Sequence, residues 1–434
     1  MITNLRLRLP GAQFSGISLN CDNFIRQHSA SAFPLCVTGR PFYRMSGSKT
    51  EKARTSTQHS ASRHNWEAWN TARTRMKEKF ERIPVLGWCL KTALTCARSP
   101  FREIHHCVEG YRFLRKHDLL IVSGGGQLDE EWGGAWGHPF ALFKWAVLAR
   151  IARTPFAMAS VGACKARSTL SRFFLSGALR LARYRSYRDK HSREIVAGLL
   201  QQAAEDTVVP DLALGLPSWV LPPPVGIRSI AQGRTIVAIS PIAFAKPGDW
   251  PYQDRAVYDR YLQQVTRVVL QLLERECFLV IVWSSLGDRE SVVPDLLRRL
   301  EDEAKQGLAG QIHIPRIATW KDLVAVLQDV DFLVASRLHS AILGFLIQRP
   351  TVAISFDPKV DWVMEDVEQT DYLLQLADFA AEDVINTLDR IALHRDLVKE
   401  QLSSYGNRVL LDFSRQYDVL ATLATARYRD ARLR

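Results

Sequence analysis

The sequence predicts an α/β protein of two domains, each a parallel sheet with helices packed on its faces. Short apolar runs of strand length alternate with stretches of helical periodicity along most of the chain, a pattern that specifies parallel strands joined by helical crossovers. The alternation is interrupted once, by the stiff, turn-rich stretch Pro217, Pro222-Pro223-Pro224 and Gly226, and then restarts. At 434 residues the chain also exceeds the size at which a single core keeps growing. Residues 1–221 are thus expected to form an N-terminal Rossmann-like domain, 222–395 a C-terminal Rossmann-like domain, and 396–434 a helical tail. Two such domains face each other across a cleft, and ligands are expected at the carboxyl ends of the strands that open into it.

Element by element, Ile2 to Leu9 reads as the last two turns of a helix, stopped by Pro10-Gly11, and Gln13 to Leu19 alternates as a strand. A doubly wound domain begins with a strand and a Gly-rich turn before such a helix, so the N-terminal domain is expected to lack its first strand; the alternative is that the opening helix is simply an N-terminal decoration. Residues 46–63, rich in Ser, Thr, Lys and Arg, read as a solvated, mobile loop. Helices are predicted at Trp66 to Phe80, Val85 to Ala97 and Phe101 to Arg115. The regular series follows: strand Leu119 to Val122, helix Phe140 to Arg153, strand Phe156 to Val161, helix Ser168 to Arg183, strand Tyr184 to Tyr187 and helix Ser192 to Gln201. After the break come strand Thr235 to Ile239, helix Asp254 to Glu276, strand Phe278 to Trp283 and helices Val292 to Gln306 and Trp320 to Leu327. Strand Phe332 to Val334, helix Ser340 to Ile347, strand Val352 to Phe356 and a helical tail from Glu382 complete the prediction.

Hydrophobic residues make up 47% and charged residues 24%, which excludes global disorder. No run of eighteen apolar residues suggests a membrane span, and no signal-peptide pattern opens the chain, so the cytoplasm is the expected compartment. The cysteines at 21, 36, 89, 96, 107, 164 and 277 form no CxxC pair and read as reduced thiols, with neither a disulfide frame nor a metal site expected. A net charge of +12 favours an anionic partner: a phosphorylated metabolite, an anionic lipid surface or nucleic acid. A basic surface kept for solubility explains the charge equally well.

Four segments carry candidate chemistry. Gly124-Gly125-Gly126 follows an apolar strand, and without β-carbons the backbone can approach a phosphate or sugar closely. The spacing is not GxGxxG, so a nicotinamide cofactor is a poor fit, and a tight strand exit needs no ligand. Asp129, Trp132, Trp136 and His138 lie just beyond, a loop composition suited to stacking on a sugar ring. Second, Arg188-Asp189 ends the strand Tyr184 to Tyr187; Asp189 or Ser192 can cap the next helix, whereas capping does not explain Arg188, whose fork of donors matches carboxylate or phosphate. Third, Ser336-Arg337-Leu338-His339-Ser340 opens a helix, where Arg337 and His339 can both face an anion favoured by the helix dipole. Fourth, Lys359, in Asp357-Pro358-Lys359-Val360 at a strand end, adds a cation to the same wall, although lysines at loop ends are often only solvated.

Taken in order, the glycine loop, Arg188-Asp189, Pro210-Asp211-Leu212-Ala213, Ser336-Arg337-Leu338-His339 and Asp357-Pro358-Lys359 resemble the polysaccharide pyruvyl transferase family over roughly residues 1 to 385. The Ser-Arg-Leu-His motif is the most specific piece. The resemblance implies a GT-B-like fold, phosphoenolpyruvate as donor and no further cofactor. It also implies a glycan or lipid-linked sugar as acceptor and a pyruvate ketal as product. Family members carry an Asn and a Gly-Asp pair after the first strand, and that segment has no counterpart here.

On this reading Arg337, Arg188 and Lys359 bind the donor, and Gly124, Gly125, Gly126, Trp132, Trp136 and His138 hold the acceptor. His339 is the expected general acid or base, because its ordinary pKa of about 6.5 lies nearest working pH; binding phosphate is its alternative role. Asp129 is a second candidate, for activating the acceptor hydroxyl, with a cap or surface role equally open. Two rivals stand beside this reading. A sugar-nucleotide glycosyltransferase would use the same cleft. A non-catalytic protein holding nucleic acid or anionic membrane would use the basic stretch Lys165, Arg167, Arg172, Arg180, Arg183 and Arg185, three of which can equally form one solvated helix face. No nucleic-acid partner is expected, and peripheral membrane contact stays open.

Overall fold

The computed structural model describes residues 1–18, 21–28, 30–36, 101–131, 133–250, 252–303 and 311–432. The predicted loop 46–63, the predicted helices Trp66 to Phe80 and Val85 to Ala97, the end of Val292 to Gln306, and Trp132 lie outside the described residues. The chain divides into two compact units: Met1–Phe14 with His117–Arg434, and Ser15–Lys116.

In the smaller unit, β1 (Ser15–Ser18) pairs in parallel with β2 (Ser31–Pro34), joined by the helix Cys21–His28. Residues 101–114 are helical. The Phe33 ring packs against His106 and Phe113, and His106 hydrogen-bonds the Pro34 carbonyl at 2.9 Å.

The larger unit holds two parallel sheets. In the first, β3 (Leu120–Ser123), β4 (Phe156–Val161), β5 (Tyr184–Tyr187) and β6 (Thr207–Val208) lie in sequence order, with β3 and β6 at the edges. Helices His138–Ile151 and Thr169–Leu181 form the crossovers. In the second, β7 (Ile236–Ser240), β8 (Phe278–Ile281), β9 (Ile312–His313), β10 (Phe332–Ala335), β11 (Thr351–Ser355) and β12 (Leu373–Gln375) take the order β12-β11-β10-β7-β8-β9. β7, β8, β10 and β11 are buried along their whole length, as strands covered on both faces must be. That is why they read as continuous apolar runs and not as alternation.

Three short strands, β6, β9 and β12, and the helices Leu286–Glu290 and Pro358–Asp366 were not among the predicted elements. The last corrects the reading of Asp357-Pro358-Lys359 as a bare strand end. Asp357 is a helix N-cap whose carboxylate accepts from the Lys359 amide at 3.0 Å, and Pro358 occupies the first turn, where its missing N–H costs nothing.

One long helix, Arg395–Arg432, ties the sheets together. Val398, Leu402, Tyr405, Val409, Phe413, Tyr417 and Leu420, three or four residues apart, are all buried. Just past its middle Gln416, fully buried, accepts from the Ser186 hydroxyl of β5 and donates to Ser160 Oγ of β4 at 3.2 Å. The opening helix Ile2–Arg8 docks on the same helix through Arg8, 2.6 Å from Asp418, and Asn4 donates to the Gly215 carbonyl at 2.8 Å. No helix among the described residues is long and apolar enough to cross a membrane.

Candidate active site

The site is built where β3, β4 and β5 end. Gly124 and Gly125 have φ of +56° and +67°, a region that favours glycine, so the chain turns sharply as β3 stops. Backbone bonds from Gly124 N to Ala159 O (2.8 Å) and from Gly162 N to Gly125 O (2.7 Å) fasten this turn to β4. Among the described residues neither the Gly125 nor the Gly126 amide donates to a protein acceptor, which leaves two adjacent N–H groups for an anion.

β4 carries a bulge at its end. Met158 pairs with Arg185 and Val161 with Tyr187, so β4 has one residue more than β5 there, and Ser160 takes φ of +53°. The bulge brings Val161 O to accept from Arg188 N at 3.0 Å and places the Arg188 guanidinium over Gly162. A β-carbon on Gly162 would stand 3.0 Å from Arg188 Nη2 and 3.2 Å from Gly125 O, so the guanidinium and the glycine turn share one spot. Arg188 is 3% exposed; its Nε donates to Asp189 at 3.3 Å, and its Nη2 is buried with no hydrogen-bond partner. Asp189 is committed, accepting from the Ser192 amide at 2.6 Å as the N-cap of the helix Lys190–Ala197.

Asp129 sits beside the turn, 3% exposed, with Oδ1 buried and unpartnered. Burial, and then the neighbouring Glu131, push its carboxyl up to about 6, while Lys359 opposes the rise. Lys359 arrives from the other sheet, in the first turn of the helix Pro358–Asp366 after β11. Its ammonium stands 3.7 Å from the place a β-carbon on Gly126 would take, and Asp129 Oδ2 stands 3.2 Å from that place. Burial alone would lower the Lys359 pKa; the surrounding carboxylates, Asp357 first, outweigh it and hold the ammonium charged. Cys164, half-buried, is the neighbour the motifs did not flag; burial pushes its thiol up, against Lys359, so it stays protonated.

The same helix clasps the first sheet's side further along. Glu365 takes Lys190 and, at 3.0 Å, His191, and the His191 ring stacks on Trp362 with centroids 4.9 Å apart. Asp366, pushed up to about 6 by burial and then by Asp189, completes the contact.

The remaining predicted residues are placed differently. Arg337 is the N-cap residue of the helix Leu338–Leu346 and is not a free cation. Its Nε and Nη2 hold both oxygens of Asp288 at 2.6 and 2.7 Å, and its guanidinium lies 5.2 Å from the Trp250 ring centre. Asp288, with no exposed surface, also accepts from the Ala243 amide at 3.2 Å. This fork joins the loops after β7, β8 and β10. His339 is exposed in the first turn of its helix, on the same carboxyl-end rim as Lys359, because β10 and β11 are neighbours. Its side chain has no hydrogen-bond partner among the described residues. His138 begins its helix with Nε2 buried and unpartnered; burial lowers its pKa, which keeps the ring neutral, against a hydrogen bond with the Gln127 backbone. Trp136 rests its ring on Phe140 and Phe174 of the outer helices, 5.3 and 5.4 Å away, and is 51% exposed. Arg185 is spent on Asp206, at 2.6 and 3.0 Å, and so drops out of the basic stretch. No group of three metal-ligating side chains occurs among the described residues.

No curated relative matches the chain. Solved structures similar to it include Staphylococcus aureus MnaA with UDP (12% identity, 68% of this chain and 74% of that one, TM-score 0.44). Anabaena HepE with UDP is similar over 76% and 82% of the two chains at 13% identity and TM-score 0.42. A UDP-forming trehalose-phosphate synthase from Burkholderia xenovorans covers 75% and 79% at 12% identity and TM-score 0.48. Likenesses this distant decide nothing about substrate. The profile of the polysaccharide pyruvyl transferase family, by contrast, matches residues 56–358, a span that runs from before the glycine turn to Pro358. The chain belongs to the polysaccharide pyruvyl transferase family.

Proposed function

We propose that the chain transfers the pyruvyl group of phosphoenolpyruvate to two hydroxyls of a glycan or lipid-linked sugar, in the cytoplasm, without a metal or further cofactor. One observation carries the reading. Lys359 of the second sheet meets the Gly126 turn and Asp129 of the first, where Arg188 has a buried donor left over. Two cations and two free amides around one small volume suit a ligand that bears both a carboxylate and a phosphate.

In the proposed reaction a proton adds to the donor's methylene carbon, which becomes a methyl, and positive charge develops at the adjacent carbon. One sugar hydroxyl adds there, phosphate departs with the C–O bond electrons, and the second hydroxyl closes the ketal. The proton balance is fixed: one hydroxyl proton ends on the methyl group and the other on phosphate. A carboxyl titrating near 6 can release and accept a proton at working pH, which makes Asp129 the group this geometry favours for the transfer. His339 remains the proposed second proton carrier, from the carboxyl-end rim of the second sheet. Arg337 acts in this scheme as a positioning residue, setting the rim through Asp288. The glycine turn thus serves the donor through its Gly125 and Gly126 amides and, with Gly124 and His138, borders the proposed acceptor side, where Trp132 and Trp136 are further proposed contacts.

Incubation with phosphoenolpyruvate labelled in its methylene carbon and a lipid-linked glycan tests this. Label is expected in an acid-labile ketal, with one phosphate released per ketal. Transfer only from a labelled sugar nucleotide would replace this reading with the glycosyltransferase one.

A further inference from the structure

A second cationic site lies at the opposite end of the second sheet, where β7 and β10 begin. There a cavity of about 380 Å³ is lined by Arg228, Arg234, Arg395, Asp331, Phe332 and the backbone from Gly233 to Ile236. This volume falls in the range of small-ligand sites. Lys359 and Arg337 stand at the carboxyl ends of β11 and β10, so the cavity is separated from them by the length of the sheet.

Its charge is not balanced from within. Asp331 is the one carboxylate in the lining, and both its oxygens are taken: Oδ2 by the Ile236 amide at 3.0 Å, Oδ1 by Arg228 at 3.0 Å and Arg395 at 2.9 Å. The nearby Asp329 spends Oδ2 on the amides of Gly226 and Ile227. Three guanidinium groups therefore line the cavity beside one carboxylate, which Arg228 and Arg395 share while Arg234 donates to the Ala231 carbonyl at 3.0 Å, and a fourth, Arg349, lies close behind. Arg395 Nε and Arg349 Nε are buried without partners. Burial first, and then Arg228, lower the pKa of Arg349; burial and then Arg395 lower that of Lys399, as expected where positive charge is left unneutralised. The forks are also held in place. Arg234 lies 4.9 Å from the Phe278 ring centre and Arg395 5.7 Å from that of Phe332, so both planes are set before any ligand arrives.

We propose that this cavity binds a compact phosphate-bearing small molecule at a site distinct from pyruvyl transfer. Because the cavity joins β7 and β10 to the start of the helix Arg395–Arg432, whose middle holds β4 and β5 through Gln416, an occupant would also stiffen the helix that links the two sheets.

The probe is inorganic pyrophosphate, titrated calorimetrically into full-length chain carrying Lys359→Gln and Arg188→Gln, which removes both cations of the transfer site. One pyrophosphate is expected to bind, and adding Arg228→Gln should weaken it at least tenfold. Arg228→Lys keeps the charge and gives up the fork, and should weaken binding less than Arg228→Gln; circular dichroism and the melting temperature confirm that each variant is folded. Pyrophosphate that fails to bind this doubly substituted chain, or that binds it equally with Arg228 and with Gln at 228, overturns the proposal.

Discussion

Arg337 closes a two-pronged hydrogen bond, 2.6 and 2.7 Å, on Asp288, a carboxylate with no exposed surface, so the arginine of the most distinctive motif fixes the carboxyl-end rim of the second sheet. Removing one member of a buried ion pair leaves the other uncompensated. Arg337→Ala is thus expected to cost roughly 3–5 kcal/mol of folding stability in a urea titration. The double variant Arg337→Met with Asp288→Leu should recover part of this, although the Ala243 amide then loses its acceptor. A full-stability Arg337→Ala chain with lost donor affinity would instead make Arg337 a direct ligand.

Asp129 predicts a pH dependence with a definite sign. Its folded pKa of about 6 lies above the ordinary 3.8, so the protonated form stabilises the fold at low pH, and this contribution is lost as pH rises through 6. Asp129→Asn should therefore raise stability at pH 8 by on the order of 2–3 kcal/mol, with the gap closing towards pH 4. The same change is expected to lower kcat by ~10²-fold or more and to remove the limb of the pH profile near 6. A variant no more stable at pH 8 than the parent contradicts the burial of this charge.

Gly162 holds Arg188 in register with the glycine turn. A β-carbon there would come within 3.0 Å of Arg188 Nη2 and 3.2 Å of Gly125 O, and the backbone carbonyl cannot swing aside cheaply. Gly162→Ala should therefore raise the KM for the donor more than tenfold with the far-ultraviolet spectrum unchanged. An unaltered KM shows that the guanidinium can move freely.

Gln416 is the polar bridge from the long helix to β4 and β5. Gln416→Leu leaves the Ser160 and Ser186 hydroxyls without that partner in a dry site, at an expected cost of about 1–3 kcal/mol. Thermal melts should show the loss; no change would mean that the serines find other acceptors.

The long strands and crossovers were legible because burial on both faces forces continuous apolar runs, as in Phe156 to Val161 and Phe278 to Ile281. β6, β9 and β12, two or three residues each, are too short to leave a pattern. The helix Pro358–Asp366 does leave one, an Asp N-cap followed by Pro, but it follows so directly on the apolar run of β11 that the segment reads as a strand end. For the site, the glycine turn, Asp129, Arg188 and Lys359 were each visible as residue types at strand ends. Their partners were not. Asp288 lies 49 residues from Arg337, and Cys164 and Gly162 acquire meaning only when β3, β4 and the helix Pro358–Asp366 come together. Trp136 reads as a sugar platform from the tryptophans, glycines and titratable groups of its loop; what the sequence does not show is that its half-exposed ring rests on Phe140 and Phe174.

The most direct measurement is phosphoenolpyruvate binding by calorimetry to the parent chain, Lys359→Gln and Arg188→Gln, with UDP as the comparison ligand. Saturable phosphoenolpyruvate binding, weakened at least tenfold by either substitution, is the predicted result. Equal affinity in all three chains, or a parent chain that binds UDP and not phosphoenolpyruvate, contradicts a donor site shared between the two sheets.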